Sequence, residues 1–281
     1  MGTRVMAKSK IILTERDVKI LKLLKEFGVV STDQLGRFIF NGVNRTTVLR
    51  RLRLLEDSHY IRKRGTLPNA TAVWVIEPDG TKILSGVSER DIYPIHQLPH
   101  EMTLNEVRWK MYELDLVKSW MTERDLRKQI AKEYTYKRRT GWIVPDALVS
   151  FQNVKMENFH ARIEVELTLK SDQKYEQLVK KYYDWYDKKH VFTWYFVKSA
   201  KMGIRILTLA QKYGALGAEK HFGFTVIDEF LKNPWRTNIQ MWSKQIPMSE
   251  FLNAKDPIPA AQGDAQDLSR KMDQKNEDVA A

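Results

Sequence analysis

The chain has 281 residues, 43% of them hydrophobic and 29% charged, enough apolar material for one large or two smaller domains and too much for a disordered polyelectrolyte. It contains no cysteine, which excludes disulfide frameworks, thiolate zinc and iron–sulfur sites, and cysteine nucleophiles. Forty-seven Lys and Arg against 35 Asp and Glu give a net charge of +12, a balance that favours polyanionic partners, with nucleic acid the commonest inside a cell. No apolar run reaches the roughly 18–20 residues of a membrane span, no signal-peptide core follows the basic Met1–Lys10, and Met6 stands where a myristoylation signal requires Ser or Thr. The expectation is a cytoplasmic protein with no membrane partner.

Three regions differ in texture. Residues 11–90 carry short helical patterns and then a strand pair, residues 98–253 mix long helical patterns with very apolar strands, and 254–281 has almost no large apolar side chains and is expected to be a disordered tail. In the first region, Thr14-Glu15-Arg16-Asp17 opens a helix with Ile20, Leu21, Leu24 and Phe27 at helical spacing, stopped by Gly28. Ser31 and Gln34 have capping-box spacing for a short second helix that buries Leu35, Phe38 and Ile39. Asn41-Gly42 turns the chain, and Asn44 caps a third helix, 45–57, with Val48, Leu52 and Leu55 facing inward. Tyr60 to Arg64 and Thr71 to Ile76 then predict two strands joined by a turn-rich loop.

Three helices followed by a β-hairpin is the order of a winged helix-turn-helix, and LTERDVKILKLLKEFG, VSTDQLGRFIF and NRTTVLRRLRLLEDSHYIRKRG resemble that family. On the third helix, about 100° per residue places Thr46, Arg50 and Arg53 on a strip roughly 60° wide, opposite the apolar seam. Arginine donors on such a helix reach guanine edges in the major groove of double-stranded DNA. Arg45, Arg51, Arg62, Lys63 and Arg64 are expected to engage phosphates. Between Arg45 and Arg64, seven basic residues face two acidic ones. The competing reading is a solvated basic face used for protein contacts.

The second region begins with a helical pattern from Leu98 through Leu104, Val107, Met111, Leu114 and Val117. A strand is predicted over 130–136, followed by Gly141-Trp142-Ile143-Val144-Pro145-Asp146 leading into an apolar strand. Arg162 to Lys170 alternates throughout, with Ile163, Val165, Leu167 and Leu169 on one face and Glu164, Glu166, Thr168 and Lys170 on the other. An amphipathic helix over 172–189 presents Tyr175, Leu178 and Tyr182, with Trp185 or Tyr186, inward. Val191 to Val197 reads as a strand buried on both faces. A helix over 201–213 and a strand over 222–227 complete a mixed α/β core, so the whole chain is α+β.

Glu164 and Glu166 lie about 7 Å apart on one strand face, and their repulsion calls for a cation. With Asp146 arriving on a separate strand, three acids make a hard, oxygen-rich site suited to Mg²⁺ or Mn²⁺, which polarises phosphoryl oxygens and activates water. Lys170, four residues on, is placed roughly 13 Å beyond Glu166 by strand rise. The competing reading is a solvated ExE face.

These elements resemble the PD-(D/E)xK nucleases of the restriction-endonuclease-like fold. Pro145-Asp146 matches the PD element, and Glu164-Val165-Glu166 stands at (D/E)xK with Glu166 in the lysine position. A winged helix followed by HEMTLNEVRWKM, WIVPDALVSF, ARIEVELTLKS and KYYDWYDKKH resembles the replication-relaxation proteins of mobile elements and the related MobC class of plasmid relaxases. The resemblance implies DNA-site recognition and metal-dependent nicking at a transfer or replication origin. It makes Asp146 and Glu164 metal ligands and Glu166 a further ligand or a water-orienting base. It also gives His100 a part in metal or phosphate binding, and replication or relaxosome proteins become the expected partners. The alternative is a non-catalytic winged-helix regulator or accessory protein of transcription, replication or DNA transfer.

Other chemistries lack their motifs. None of the six histidines forms a His-x-His pair, and there is no GxxxxGK[ST] loop and no GxSxG elbow. Tyr182, Tyr183 and Tyr186 sit at helical spacing beside Trp185, which favours core or base-stacking roles over DNA nucleophiles.

Overall fold

A computed structural model describes residues 11–88, 93–115, 117–133, 143–151, 159–186, 191–214 and 221–252. The expected tail 254–281 and Gly141-Trp142 lie outside them, as do the side chains of Tyr183, Trp185 and Tyr186. The chain is α+β and forms two compact units, one through Asn105 and one from Glu106 onward. The boundary falls inside a helix, where the sequence suggested domains of 11–90 and 98–253.

In the first unit, α1 (Glu15–Phe27), β1 (Val29–Ser31), α2 (Thr32–Phe38), α3 (Arg45–Asp57), β2 (Ile61–Thr66), β3 (Ala72–Ile76) and α4 (Pro78–Ser85) follow one another. The expected capping box at Ser31 forms, and a second one starts α1 at Thr14. The Thr14 N–H donates to Asp17 Oδ2 at 2.7 Å, and Ser31 and Gln34 exchange backbone-to-side-chain hydrogen bonds of 3.1 Å each. Asn44 Oδ1 accepts from the Thr46 N–H at 2.8 Å and starts α3. The strands form an antiparallel sheet in the order β1-β3-β2. Beneath it lie Ile20, Leu24, Leu35, Leu52 and Leu55, all fully buried.

β1 and α4 were not expected. β1 is three residues squeezed between Gly28 and the capping Ser31, too short for a period-2 signal. α4 carries Pro78 in its first turn and ends at Gly86 in the left-handed region (φ 69°), both recognised helix-boundary signals. The first half of α5 (Leu98–Glu113) belongs to this unit. There Gln34 Nε2 donates to the Met102 carbonyl at 3.0 Å, and Asn105 Nδ2 donates to that of Val29.

The second unit is built on a seven-stranded sheet in the order β10-β9-β8-β7-β6-β5-β4. Its strands are β4 (Val117–Thr122), β5 (Ala147–Phe151), β6 (His160–Glu166), β7 (Phe192–Val197), β8 (Phe222–Val226), β9 (Asn238–Met241) and β10 (Gln245–Pro247). β6, β7 and β8 are parallel and the remaining pairings antiparallel. The parallel strands are linked by α7 (Asp172–Tyr186) and α8 (Ala200–Tyr213). Both helices pack on the sheet face that carries Tyr195, Val197, Phe222 and Phe224. The opposite face is aromatic, with Trp194–Phe196 and Phe196–Phe230 ring centroids 5.0 Å apart and Phe192–Phe251 at 4.9 Å. A short α9 (Ile227–Lys232) follows β8, and α10 (Met248–Phe251) follows β10. As expected, β7 is buried along its whole length.

Three expectations in this region are corrected. α5 ends at Glu113 and the chain turns through Asp115 (φ 53°), so Val117 opens a strand and does not extend the helix. The described part of the strand expected over 130–136 is helical, lying in α6 (Glu123–Glu133). Thr122 and Asp125 start that helix with a capping box, Thr122 Oγ1 donating to Asp125 Oδ2 at 2.6 Å and the Asp125 N–H to Thr122 Oγ1 at 3.2 Å. The box repeats the Thr-Glu-Arg-Asp motif that starts α1. Finally, β6 stops at Glu166 and does not continue to Lys170.

Candidate functional site

The basic face of α3 follows from its amphipathic pattern. Val48, Leu52 and Leu55 are buried against the first unit's core, which leaves Thr46, Arg50 and Arg53 exposed on the other side. Arg50 and Arg53 form no ion pair among the described residues. Arg45 Nε donates to Asp33 Oδ1 at 3.2 Å, a pair in which both side chains are about half exposed. Asp33 Oδ2 also accepts from Thr71 Oγ1 at 2.8 Å, next to the start of β3.

Besides Arg45, three more of the expected phosphate contacts are engaged within the protein. Arg51 Nε donates to Asp17 Oδ1 at 2.7 Å and its NH2 to Asp17 Oδ2, clamping α3 to the fully buried carboxylate at the start of α1. Burial opposes ionisation of Asp17, but hydrogen bonds from Arg51 and Thr14 outweigh it and hold the carboxyl below its ordinary value. The same pair raises the Arg51 guanidinium. Arg62 pairs with Glu77, and Arg64 Nε donates to the Tyr93 carbonyl at 2.6 Å. Lys63 remains exposed, its backbone N–H donating to Glu56 Oε1 at 2.8 Å.

The second constellation lies on β6 under α7. Glu164 and Glu166 are 7% and 4% exposed, so the ExE face is interior and not solvated. Antiparallel pairing of Ala147 with Ile163 brings Asp146, the residue before β5, alongside, and Asp146 Oδ2 accepts from the Val165 N–H at 2.7 Å. Tyr182 of α7 donates its hydroxyl hydrogen bond to Glu164 Oε1. Glu166 is ion-paired with Lys170. The pairing is possible because the chain leaves the strand at Glu166 and returns, so the 13 Å separation expected of a straight strand does not arise.

Burial, with the negative charge of Asp146 added, pushes Glu164 up to about 8, and the Tyr182 hydrogen bond and Lys170 only partly offset this. Burial first, then the neighbouring carboxylates, raises the hydroxyls of Tyr182 and Tyr195. Both stay neutral phenols, and Tyr182 is a core donor. Arg162, 1% exposed, lies with its guanidinium 5.0 Å from the Tyr182 ring centroid.

Asp146 and Glu164 offer only oxygen donors, the chemistry of Mg²⁺ and Mn²⁺, and two carboxylates completed by water and substrate phosphate is a usual Mg²⁺ complement. Among the described residues no three or more His, Asp or Glu side chains group to hold a metal ion, and Glu166 is committed to Lys170. A cation would therefore rest on Asp146 and Glu164 alone. His100 lies in the first unit, in the first turn of α5, with Nδ1 3.8 Å from Glu101 Oε1.

Sequence reasoning missed Tyr182, Tyr195 and Arg162 as neighbours of the carboxylates. For Tyr195 and Arg162 the signal is register, since Glu164 pairs with Tyr195 and Arg162 with Thr193 across the parallel β6–β7 ladder, and for Tyr182 it is the inward face of α7.

A helix with a basic, exposed face in one unit and buried carboxyl groups on a mixed sheet in the other define a two-unit α+β protein. Residues 21–193, more than half of the chain, match the replication-relaxation family. The chain belongs to that family, which connects it to replication or DNA transfer. No curated protein and no solved structure matches it. Among the described residues no helix is long and apolar enough to cross a membrane.

Proposed function

We propose that this is a site-selective DNA-processing protein. Its first unit acts as a winged helix that places α3 in the major groove, and its second acts as a restriction-endonuclease-like domain that nicks one strand with Mg²⁺ or Mn²⁺. In this reading Thr46, Arg50 and Arg53 read base edges, and Arg45 and Lys63 hold phosphates. The observation that carries the nicking is the meeting of Asp146 and Glu164 from adjacent strands, where burial and the Asp146 charge push Glu164 up to about 8 and Glu166 is already paired with Lys170. Two carboxyl groups brought together inside a sheet repel once both are ionised, unless something supplies positive charge between them. A bound divalent cation would supply that charge, polarise the scissile phosphate and lower the pKa of a water.

The protein's own side chains have separate tasks. Tyr182 and the Val165 N–H each hold one oxygen of Glu164 and Asp146 and so fix how the two carboxylates are oriented. Lys170 neutralises Glu166 and so limits repulsion along β6. Neighbouring replication or relaxosome proteins would be its partners.

A non-catalytic regulator is the second reading. It is favoured by the fact that each of the three carboxylates already has an internal donor. Nicking of supercoiled DNA carrying the protein's own genetic neighbourhood tests the choice. Conversion to open circle that requires Mg²⁺ or Mn²⁺ and is lost in Asp146→Ala is expected. Bound but uncut DNA would instead establish the regulator.

A further inference from the structure

The C-terminal ends of the parallel strands carry a second charged feature. β6 ends at Glu166, which pairs in register with Val197, the last residue of β7, so the segments leaving both strands emerge side by side. Those segments lead into the N-terminal turns of α7 and α8, and an ion pair between Asp172 in the first turn of α7 and Arg205 in the second turn of α8 ties the two helices together. Lys174 on α7, Lys198 after β7 and Lys201 on α8 are exposed at this edge and form no ion pair among the described residues.

Acidic groups here are already committed or lie further off. Glu166 is buried against Lys170 and Asp172 is paired with Arg205. The exposed Asp228 and Glu229 stand one strand away, at the start of α9 after β8. Two helix N-termini pointing at the same edge add partial positive charge, and the crevice beyond the carboxyl ends of parallel strands is where open α/β sheets bind ligands.

We propose that this edge is a phosphodiester-binding rim, in which Lys174, Lys198 and Lys201 hold the DNA backbone beside the Asp146–Glu164 carboxylates. The inference rests on the reading of the chain as a DNA-processing protein, and it does not require that the carboxylates cut. Contacts of this kind follow the backbone and carry no sequence information. They add affinity equally on any duplex and steepen its salt dependence, whereas the α3 arginines discriminate between sequences.

The test uses the full chain and fluorescently labelled duplexes, one from the protein's genetic neighbourhood and one unrelated, titrated across a salt series. The triple substitution Lys174→Ala, Lys198→Ala, Lys201→Ala should weaken binding to both duplexes by the same factor. It should also reduce the slope of log affinity against log salt by about 2–3, at ~0.9 for each phosphate that a lysine no longer neutralises. The matching triple Lys→Arg variant should restore both quantities, which a damaged fold would not do. Wild-type affinity and slope in the alanine variant would overturn the rim and leave the α3 reading standing. Failure of the wild-type chain to bind either duplex would overturn both.

Discussion

Arg50 and Arg51 are adjacent on α3 and carry the same charge, yet their surroundings assign them different tasks. Arg51→Ala removes both donors to Asp17, which is fully buried, and leaves that carboxylate with Thr14 alone. Removing one side of a buried pair costs roughly 3–5 kcal/mol. The Arg51 side chain is 25% exposed, and solvent screening lowers the expected loss to about 2–3 kcal/mol. For a unit of this size, that corresponds to a fall in Tm of about 10–20 °C.

Arg50→Ala, at an exposed position, should stay within about 0.5 kcal/mol of wild type in stability and lose about 1–3 kcal/mol of binding to the preferred duplex. Urea unfolding read beside duplex titration separates the two effects. The double substitution Asp17→Asn/Arg51→Ala should cost less than the sum of the single changes, because the residues share one interaction. Asp17 titrates below its ordinary value of 3.8 when folded. The stabilisation is therefore complete above that value and is lost as pH falls through the lower, folded-state value. An Arg51→Ala chain that unfolds like wild type but binds DNA as poorly as Arg50→Ala would refute the assignment.

Two further outcomes follow from the same geometry. Burial and Asp146 raise Glu164 from 4.5 to about 8, so between those values the folded chain keeps a proton that the unfolded chain releases. Stability should fall as pH rises across that window and level off above it, and Glu164→Gln should flatten the profile; parallel melting curves for the two chains would count against the buried carboxyl. Asp33→Asn frees Arg45 from an exposed pair worth at most about 1 kcal/mol and should raise duplex affinity roughly two- to five-fold. Unchanged binding would mean that Arg45 never reaches a phosphate.

The first unit was legible because its signals are local. Thr14, Ser31 and Asn44 sit where the chain must start helices, and the apolar residues between them repeat at the helical period. The fate of Arg51 was not legible, since its partner Asp17 is 34 residues away and only folding brings them together. In the second unit, the apolar runs of β7 and β8 announced themselves, whereas the helix that starts at Thr122 was missed and 130–136 was read as a strand. A capping box starts that helix, and the apolar residues further on had suggested a strand. Lys170 was misplaced for a related reason, because extrapolating a strand past Glu166 assumes that alternation alone keeps a chain extended. Thr168 to Ser171 alternate no further in space once the chain has left the ladder.

The competing reading of a solvated face on β6 fails because of the strand's place in the sheet. In a half-exposed antiparallel strand, the polar face is the wet one. β6 instead borders the parallel core of the sheet, whose faces are covered by α7 and α8 on one side and by aromatic side chains on the other. Any charged residue on this strand must therefore be accommodated inside. Apolar residues at 164 and 166 would pack there with no desolvation cost, and replacing buried ionic groups with apolar ones is often neutral or stabilising. Packing therefore gives no reason for acids at these positions, nor for a tyrosine hydroxyl and a returning lysine spent on holding them. A requirement for carboxyl groups held in fixed positions at this point of the sheet accounts for all four residues, and it places them next to the edge where Lys174, Lys198 and Lys201 are exposed.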